Sequence, residues 1–157
     1  MIHHISIPAQ NPLRVATVLA EILQGKVFPF PPHPGSYITV PFDQYGTAVE
    51  VYPIGTELTP APENAAFVQK SVLPVPTLTP FHAAISVPTS LEQLQQIGDR
   101  EGWRVQLCDR GPFKVVECWL ENCLLLEFLP PDLASGYLEF TQSENAVKFL
   151  AEPILAS

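Results

Sequence analysis

Residues 4–11 read HISIPAQN and residues 82–89 read HAAISVPT. Each begins on a histidine and runs through a short alternating stretch of strand type. A helix signal follows in both places. Asn11 is a good N-cap with Pro12 at the first helical position. Ser90 and Gln93 have the spacing of a capping box. The first helix carries Leu13, Ala16, Leu19, Ile22 and Leu23 along one side, and Gly25 ends it as a C-cap glycine does. The second, SLEQLQQIGDREG, puts Leu91, Leu94 and Ile97 on one face. Further strands read SYITVPF and TAVEVYP in the first half, joined by the turn DQYG. In the second half they read WRVQLC, FKVVECW and LLLEFLPP, with a turn at LENC. A last helix is expected over 143–151. Each half is therefore strand, helix, then two or three strands, an internal repeat of about 78 residues. Two such units are expected to pack as a pair around a shared cleft.

The 157 residues suit one domain or two small fused halves, long enough for a core without disulfides. Apolar residues make up 46% and charged ones only 15%, which argues for a globular chain and against a disordered one. Lys and Arg number 8 against 16 Asp and Glu, so no basic cluster exists to neutralise nucleic-acid phosphates or an anionic membrane. No apolar run is long enough to span a bilayer, and no secretory signal is read at the N-terminus. Three cysteines, an odd and small number, fit reduced thiols and a cytoplasmic location. Cys118 and Cys123 form a C-x4-C without a second pair, a weak zinc signal. The 18 prolines cluster in FPFPPHPG and in residues 56–80. The expected organisation is a first module over 1–55, a Pro-rich linker over 56–80 with room for a short helix or strand, a second module over 81–130, and a C-terminal extension with a helix over 131–157.

Alternation along the strands selects four residues. His4 shares a face with Ser6, whereas His3 falls in with Ile5 and Ile7 and is expected to pack on the other side. His82 shares a face with Ala84 and Ser86, and Glu50 with Ala48 and Tyr52. Glu127 sits in CLLLEFLPP, where both faces are otherwise apolar. A carboxylate buried alone there is costly, so it must reach water, find a partner or bind a cation. His4 to Glu50 is 46 residues and His82 to Glu127 is 45. An offset of 78 makes the two pairs match and also aligns Leu13 with Leu91; matching ISIP to ISVP gives 80 instead and pairs His82 with Ile2. Two imidazoles and two carboxylates in one cleft suit a divalent metal, Ni, Co, Mn, Fe or Zn, with positions left for a substrate bearing two neighbouring oxygens. Arg110 is a residue that could hold a substrate carboxylate, or one that makes a loop salt bridge. Tyr52 and Trp119 either wall the pocket or belong to the core. Glu117 shares a face with Trp119, and His33 reads as a solvated loop residue.

On these residues the chain resembles the vicinal oxygen chelate superfamily, the glyoxalase / bleomycin-resistance / dioxygenase proteins, over about residues 1–130. HISIPAQN and HAAISVPT resemble its first strands, with Asn11 and Thr89 where the helix opens. DQYGTAVE resembles its turn and last strand, D-P-D-G-x-x-x-E; LENCLLLE keeps the spacing without the Asp and Gly. The resemblance implies an α+β fold of two βαβββ modules whose curved mixed sheets enclose a cleft. It implies metal ligands at His4, Glu50, His82 and Glu127. It allows the modules to close within one chain or to swap in a homodimer. The aromatic pair of the family's first helix is absent, and Pro8 stands where glutathione-using members carry an Arg. Two His with two Glu point to the glyoxalase or epimerase branch. The expected function is a metal-dependent lyase or isomerase on a small oxygen-rich substrate, with Glu50 or Glu127 moving the proton and Ser6, Tyr52, Trp119 and Arg110 near the substrate. The alternatives are a non-catalytic small-molecule-binding protein of the same fold and a metal-dependent dioxygenase using three of the four ligands.

Overall fold

The computed structural model describes residues 2–59, 66–69, 78, 80–142, 144 and 145. The chain divides into two compact units: residues 1–81 together with 120–124, and residues 82–119 together with 125–157.

In the first unit the order is β1 (His4–Ala9), α1 (Pro12–Ile22), β2 (Lys26–Pro29), β3 (Tyr37–Val40) and β4 (Ala48–Pro53). They make one mixed sheet in the order β1-β4-β3-β2. β1 runs parallel to β4, and β4, β3 and β2 pair antiparallel. A parallel neighbour needs a crossover, and α1 with β2 and β3 supplies it. The helix starts where Asn11 Oδ1 accepts from the Arg14 amide at 3.1 Å. Its Val15, Ala16, Val18, Leu19 and Ile22 are buried, with Ile7, Val49 and Val51 from the strands. Thr39 is fully buried in this apolar layer; its hydroxyl donates to the Ala16 carbonyl at 2.7 Å and ties sheet to helix. β5 (Thr56–Thr59) and β6 (Ala66–Gln69) form a separate two-stranded antiparallel sheet within the proline-rich stretch.

The second unit repeats the plan with β7 (Ala83–Ser86), α2 (Leu91–Glu101), β8 (Arg104–Asp109), β9 (Lys114–Leu120) and β10 (Leu124–Leu129), in the sheet order β7-β10-β9-β8. Its capping box is complete, with both the Ser90 and Gln93 hydrogen bonds formed. Two four-stranded mixed sheets, each with its helix, make this an α+β chain of two βαβββ modules. No helix among the described residues is long and apolar enough to cross a membrane.

The strand register chooses between the two alignments of the halves. Ser6 stands opposite Glu50, and Ala84 stands opposite Glu127. That is the offset of 78, which leaves His4 and His82 at matched depth.

Four local expectations change. KVFP forms β2, which the surrounding prolines obscured in the sequence. Leu13 is 46% exposed rather than part of the buried face, because that face is set by Val15, Ala16, Leu19 and Ile22. The left-handed residue after α1 is Gln24, not Gly25. Gly25 is needed instead for close approach, since a Cβ there would meet the Val40 carbonyl oxygen at 2.5 Å. The C-terminal helix of the described residues is α3 (Pro131–Phe140), while the helix expected over 143–151 lies outside them apart from the helical Glu144 and Asn145.

Candidate functional site

In the first unit the parallel pairing of β1 and β4 puts Ser6 beside Glu50. The Ser6 hydroxyl donates to Glu50 Oε2 at 2.7 Å, and the Tyr52 hydroxyl donates to the same oxygen at 3.0 Å. Glu50 Oε1 faces His4 Nε2 at 3.9 Å, an ion-pair distance beyond hydrogen-bond reach. Tyr52 is buried; burial and its bond to Glu50 push its hydroxyl well above the ordinary tyrosine value, so it remains a donor. The β2–β3 loop brings His33 to the same place. Its ring lies edge-on to Tyr52 with centroids 6.0 Å apart, and its Nδ1 is 3.3 Å from Ser36 Oγ.

A cavity of about 210 Å³ adjoins this group and shares Ser6 with it. Pro8, Ile54, Phe81 and Leu124 give it apolar walls, and Gln10 and Cys123 line it as well. Its floor is braced by Glu121, whose carboxylate accepts from the Gln10 amide at 2.6 Å and the Asn11 amide at 2.8 Å. Glu121 and Asn122 both have left-handed backbone (φ 51° and 54°), whereas the Gly46 position of the first half is matched by Cys123, so the two turns place their left-handed residues differently. In the corresponding turn of the first half Asp43 Oδ1 accepts from the Tyr45 and Thr47 amides, and Gly46 takes the positive φ of 68°.

The second unit treats its carboxylate differently. β8 ends at Asp109, and a tight turn follows: Gly111 has φ 87°, its amide donates to Asp109 Oδ1 at 2.7 Å, and the Arg110 amide donates to the Phe113 carbonyl at 2.9 Å. The turn returns the Arg110 side chain over the sheet. Its Nη2 donates to Glu127 Oε1 at 2.6 Å and to Glu117 Oε1 at 2.7 Å. The Trp119 indole donates to Glu117 Oε2 at 3.2 Å. Glu127 is buried, at 8% exposure. Burial pushes the Glu117 carboxyl up, but the hydrogen bonds from Arg110 and Trp119 outweigh it and hold it below the ordinary carboxylate range.

The residues singled out from the sequence thus fall into two groups. His4, Ser6, Glu50 and Tyr52 come together in the first unit, and Arg110, Glu127 and Trp119 in the second. His82 is exposed and immediately precedes β7. Arg110 forms the salt bridge that was one of its two readings, and it is anchored on two carboxylates. His3 is corrected: it lies before β1, is exposed, and donates from Nδ1 to the Tyr45 carbonyl at 2.6 Å instead of packing with Ile5 and Ile7. His33 reads from the sequence as a solvated loop residue, whereas the structure half-buries it beside Tyr52; a histidine among prolines carries no periodicity to place it. Glu117 stands beside Trp119, the residue with which alternation gives it a shared face, but its tie to Glu127 through Arg110 depends on a turn that alternation does not reveal.

The donor set bears on the metal expected from the resemblance. Two ligands on one divalent ion, each at about 2.1 Å, stand roughly 3 to 4 Å apart, so the His4–Glu50 pair fits. Glu127 does not, because its Oε1 already carries a guanidinium. Among the described residues no three of His, Cys, Asp and Glu gather as a metal-holding group.

No protein-family model matches the chain, and no curated protein is significantly similar to it. Solved structures do match. The fosfomycin resistance protein FosX from Mesorhizobium loti superposes with a TM-score of 0.50 at 7% identity, over 82% of this chain and 88% of that one. A glyoxylase/bleomycin resistance protein/dioxygenase domain from Frankia sp. EAN1pec gives 0.51 at 13%, over 82% and 94%. FosX from Listeria monocytogenes gives 0.51 at 10%, over 82% and 90%. The chain has the glyoxalase, or vicinal oxygen chelate, fold.

Proposed function

We propose that this protein is a glyoxalase-fold enzyme, a divalent-metal-dependent lyase or isomerase acting on a small oxygen-rich substrate, with Glu50 as the group that moves the proton. The observation that supports this reading is the setting of Glu50. Two hydroxyls hold one of its oxygens and leave the other turned toward His4. A carboxylate oriented in advance can take a proton and return it at Oε1, the oxygen the two hydroxyls leave open, which would have to be free of any metal while it carries the proton. Tyr52, kept protonated, holds the carboxylate in place through both steps. Ser6 belongs to both the carboxylate group and the 210 Å³ cavity, so a molecule seated there meets Glu50's own hydrogen-bond partner. That volume lies below the 300–1,000 Å³ usual for drug-sized ligands and suits a small substrate. A metal held by His4 and Glu50 would supply Lewis-acid polarisation of the substrate's oxygens.

The test is elemental analysis of the chelator-stripped and reloaded protein beside a His4→Ala/Glu50→Gln variant. Near one equivalent of Mn, Fe, Co, Ni or Zn, lost in the variant, supports the reading and justifies a turnover screen beginning with fosfomycin. No metal after reloading, with the variant equally stable, overturns it. A second reading, a non-catalytic small-molecule binder, is favoured by one observation: Glu127 is engaged by Arg110.

A further inference from the structure

We propose that the Arg110 guanidinium is the resident cation of the second unit, seated between Glu117 and Glu127 in the role a divalent ion would otherwise play, so that Glu127 is not a metal ligand in this chain. This rests on the four-ligand expectation only as the thing it corrects. It stands whether or not the first unit binds metal.

The geometry carries the argument. One nitrogen, Arg110 Nη2, is 2.6 Å from Glu127 Oε1 and 2.7 Å from Glu117 Oε1. Two carboxylates brought to one point are mutually repulsive unless a cation lies between them. Here that cation is supplied by the chain itself. The Asp109–Phe113 turn fixes its base through the Gly111 amide donating to Asp109 Oδ1 and the Arg110 amide donating to the Phe113 carbonyl. Trp119 occupies the other oxygen of Glu117. A tethered guanidinium has a high effective concentration at its partners, which a free ion must overcome.

The first unit shows the contrast. Glu50, at the matched place in its own sheet, is held by the neutral hydroxyls of Ser6 and Tyr52, with an imidazole 3.9 Å away. The corresponding loop of that unit brings His33 beside Tyr52 rather than a guanidinium onto the carboxylate. The neighbour opposite Glu50 on β3 is Ile38 rather than a second carboxylate. The two halves share a backbone plan but satisfy their strand carboxylates by different chemistry.

The prediction is that removing Arg110 creates a cation site. Two carboxylates on adjacent strands, freed of their guanidinium, are a donor set for a hard divalent ion. The experiment uses thermal unfolding of the full chain in a His4→Ala background, which silences the first unit. Three proteins are compared in chelator and in about 1 mM MnCl2: the background itself, the background with Arg110→Met, and the background with Arg110→Met and Glu127→Gln. The background is expected to show no manganese shift. Adding Arg110→Met is expected to lower the midpoint in chelator and to restore several degrees with manganese. Adding Glu127→Gln is expected to abolish that restoration.

The inference is overturned if the background shifts with manganese and Glu127→Gln removes the shift, since Glu127 would then bind metal with Arg110 in place. It is also overturned if Arg110→Met leaves stability in chelator unchanged. Should Arg110→Met not fold, Glu127→Gln in the otherwise unaltered protein decides by manganese titration. Affinity within about twofold of the parent, or no binding by either, supports the proposal; a tenfold loss or more overturns it.

Discussion

Cys118 shows how position along a strand sets a side chain's chemistry. It is 1% exposed on β9, and burial pushes its thiol up to about 12. At pH 8 only on the order of one such thiol in 10⁴ is the reactive thiolate. Cys108 is partly exposed; burial and the nearby Glu117 raise its thiol, with Arg110 opposing. Cys123 is partly exposed and lines the cavity. Labelling with iodoacetamide at pH 8, read by peptide mass spectrometry, should therefore modify Cys123 first and Cys108 more slowly. Cys118 should react only when the chain unfolds. Early labelling of Cys118 would show that β9 is not packed as described. The same reasoning gives Tyr52 its role. Tyr52→Phe removes one of the two donors to Glu50 while keeping the ring against Phe30, at a cost of about 1 kcal/mol in urea unfolding. A null effect would mean that the hydrogen bond is not formed.

Within elements, two substitutions separate propensity from packing. Gly98 lies in α2, where replacing Gly by Ala usually gains about 1 kcal/mol. Here an added Cβ would meet Val105 Cγ2 at 2.5 Å and the Trp103 carbonyl oxygen at 3.1 Å. Gly98→Ala is expected to destabilise by about 1–3 kcal/mol in urea unfolding, because overpacking outweighs helix propensity. Stabilisation would show that α2 stands further from β8 than described. Glu121 is the second case. It holds a left-handed φ that its side chain does not favour, and its carboxylate accepts two amides at the start of α1. Glu121→Ala should cost about 1–2 kcal/mol by loss of those charge-assisted bonds. The missing Asp and Gly of LENC were legible in the sequence as a departure. Why the departure is tolerated was not, since Glu121 serves residues more than a hundred positions away.

At the scale of the whole molecule, the net charge of −8 makes the acid limb of stability informative. Burial raises the Glu117 carboxyl, but its Arg110 and Trp119 hydrogen bonds bring it below its unfolded value. The folded state then binds fewer protons at this group than the unfolded state. Its contribution is full above the unfolded value of about 4.3 and is lost as pH falls below that through the lowered folded value. Urea unfolding from about pH 6 down to pH 3 should show stability falling with acid, and Glu117→Gln should flatten that fall. An unchanged acid limb in the variant would remove Glu117 from the account.

The sequence by itself determined the repeat, the helices, most of the strands and the face on which His4, Ser6, Glu50 and Tyr52 lie. These follow from local signals: caps, alternation and the spacing of apolar residues. It also posed the right question about Glu127, a carboxylate in an apolar strand. The answer needed tertiary structure, because the partner of a buried charge is chosen by distance in space and not along the chain. Only the folded chain showed that Ser6 and Ala84 stand opposite the two glutamates, which made 78 the true offset. Only it showed His3 tied to a turn and His33 beside Tyr52. It also decided that one half meets its glutamate with hydroxyls and the other with a guanidinium. Backbone pattern is written in short-range periodicity, whereas charge compensation is settled by whichever side chain the turns return to the site.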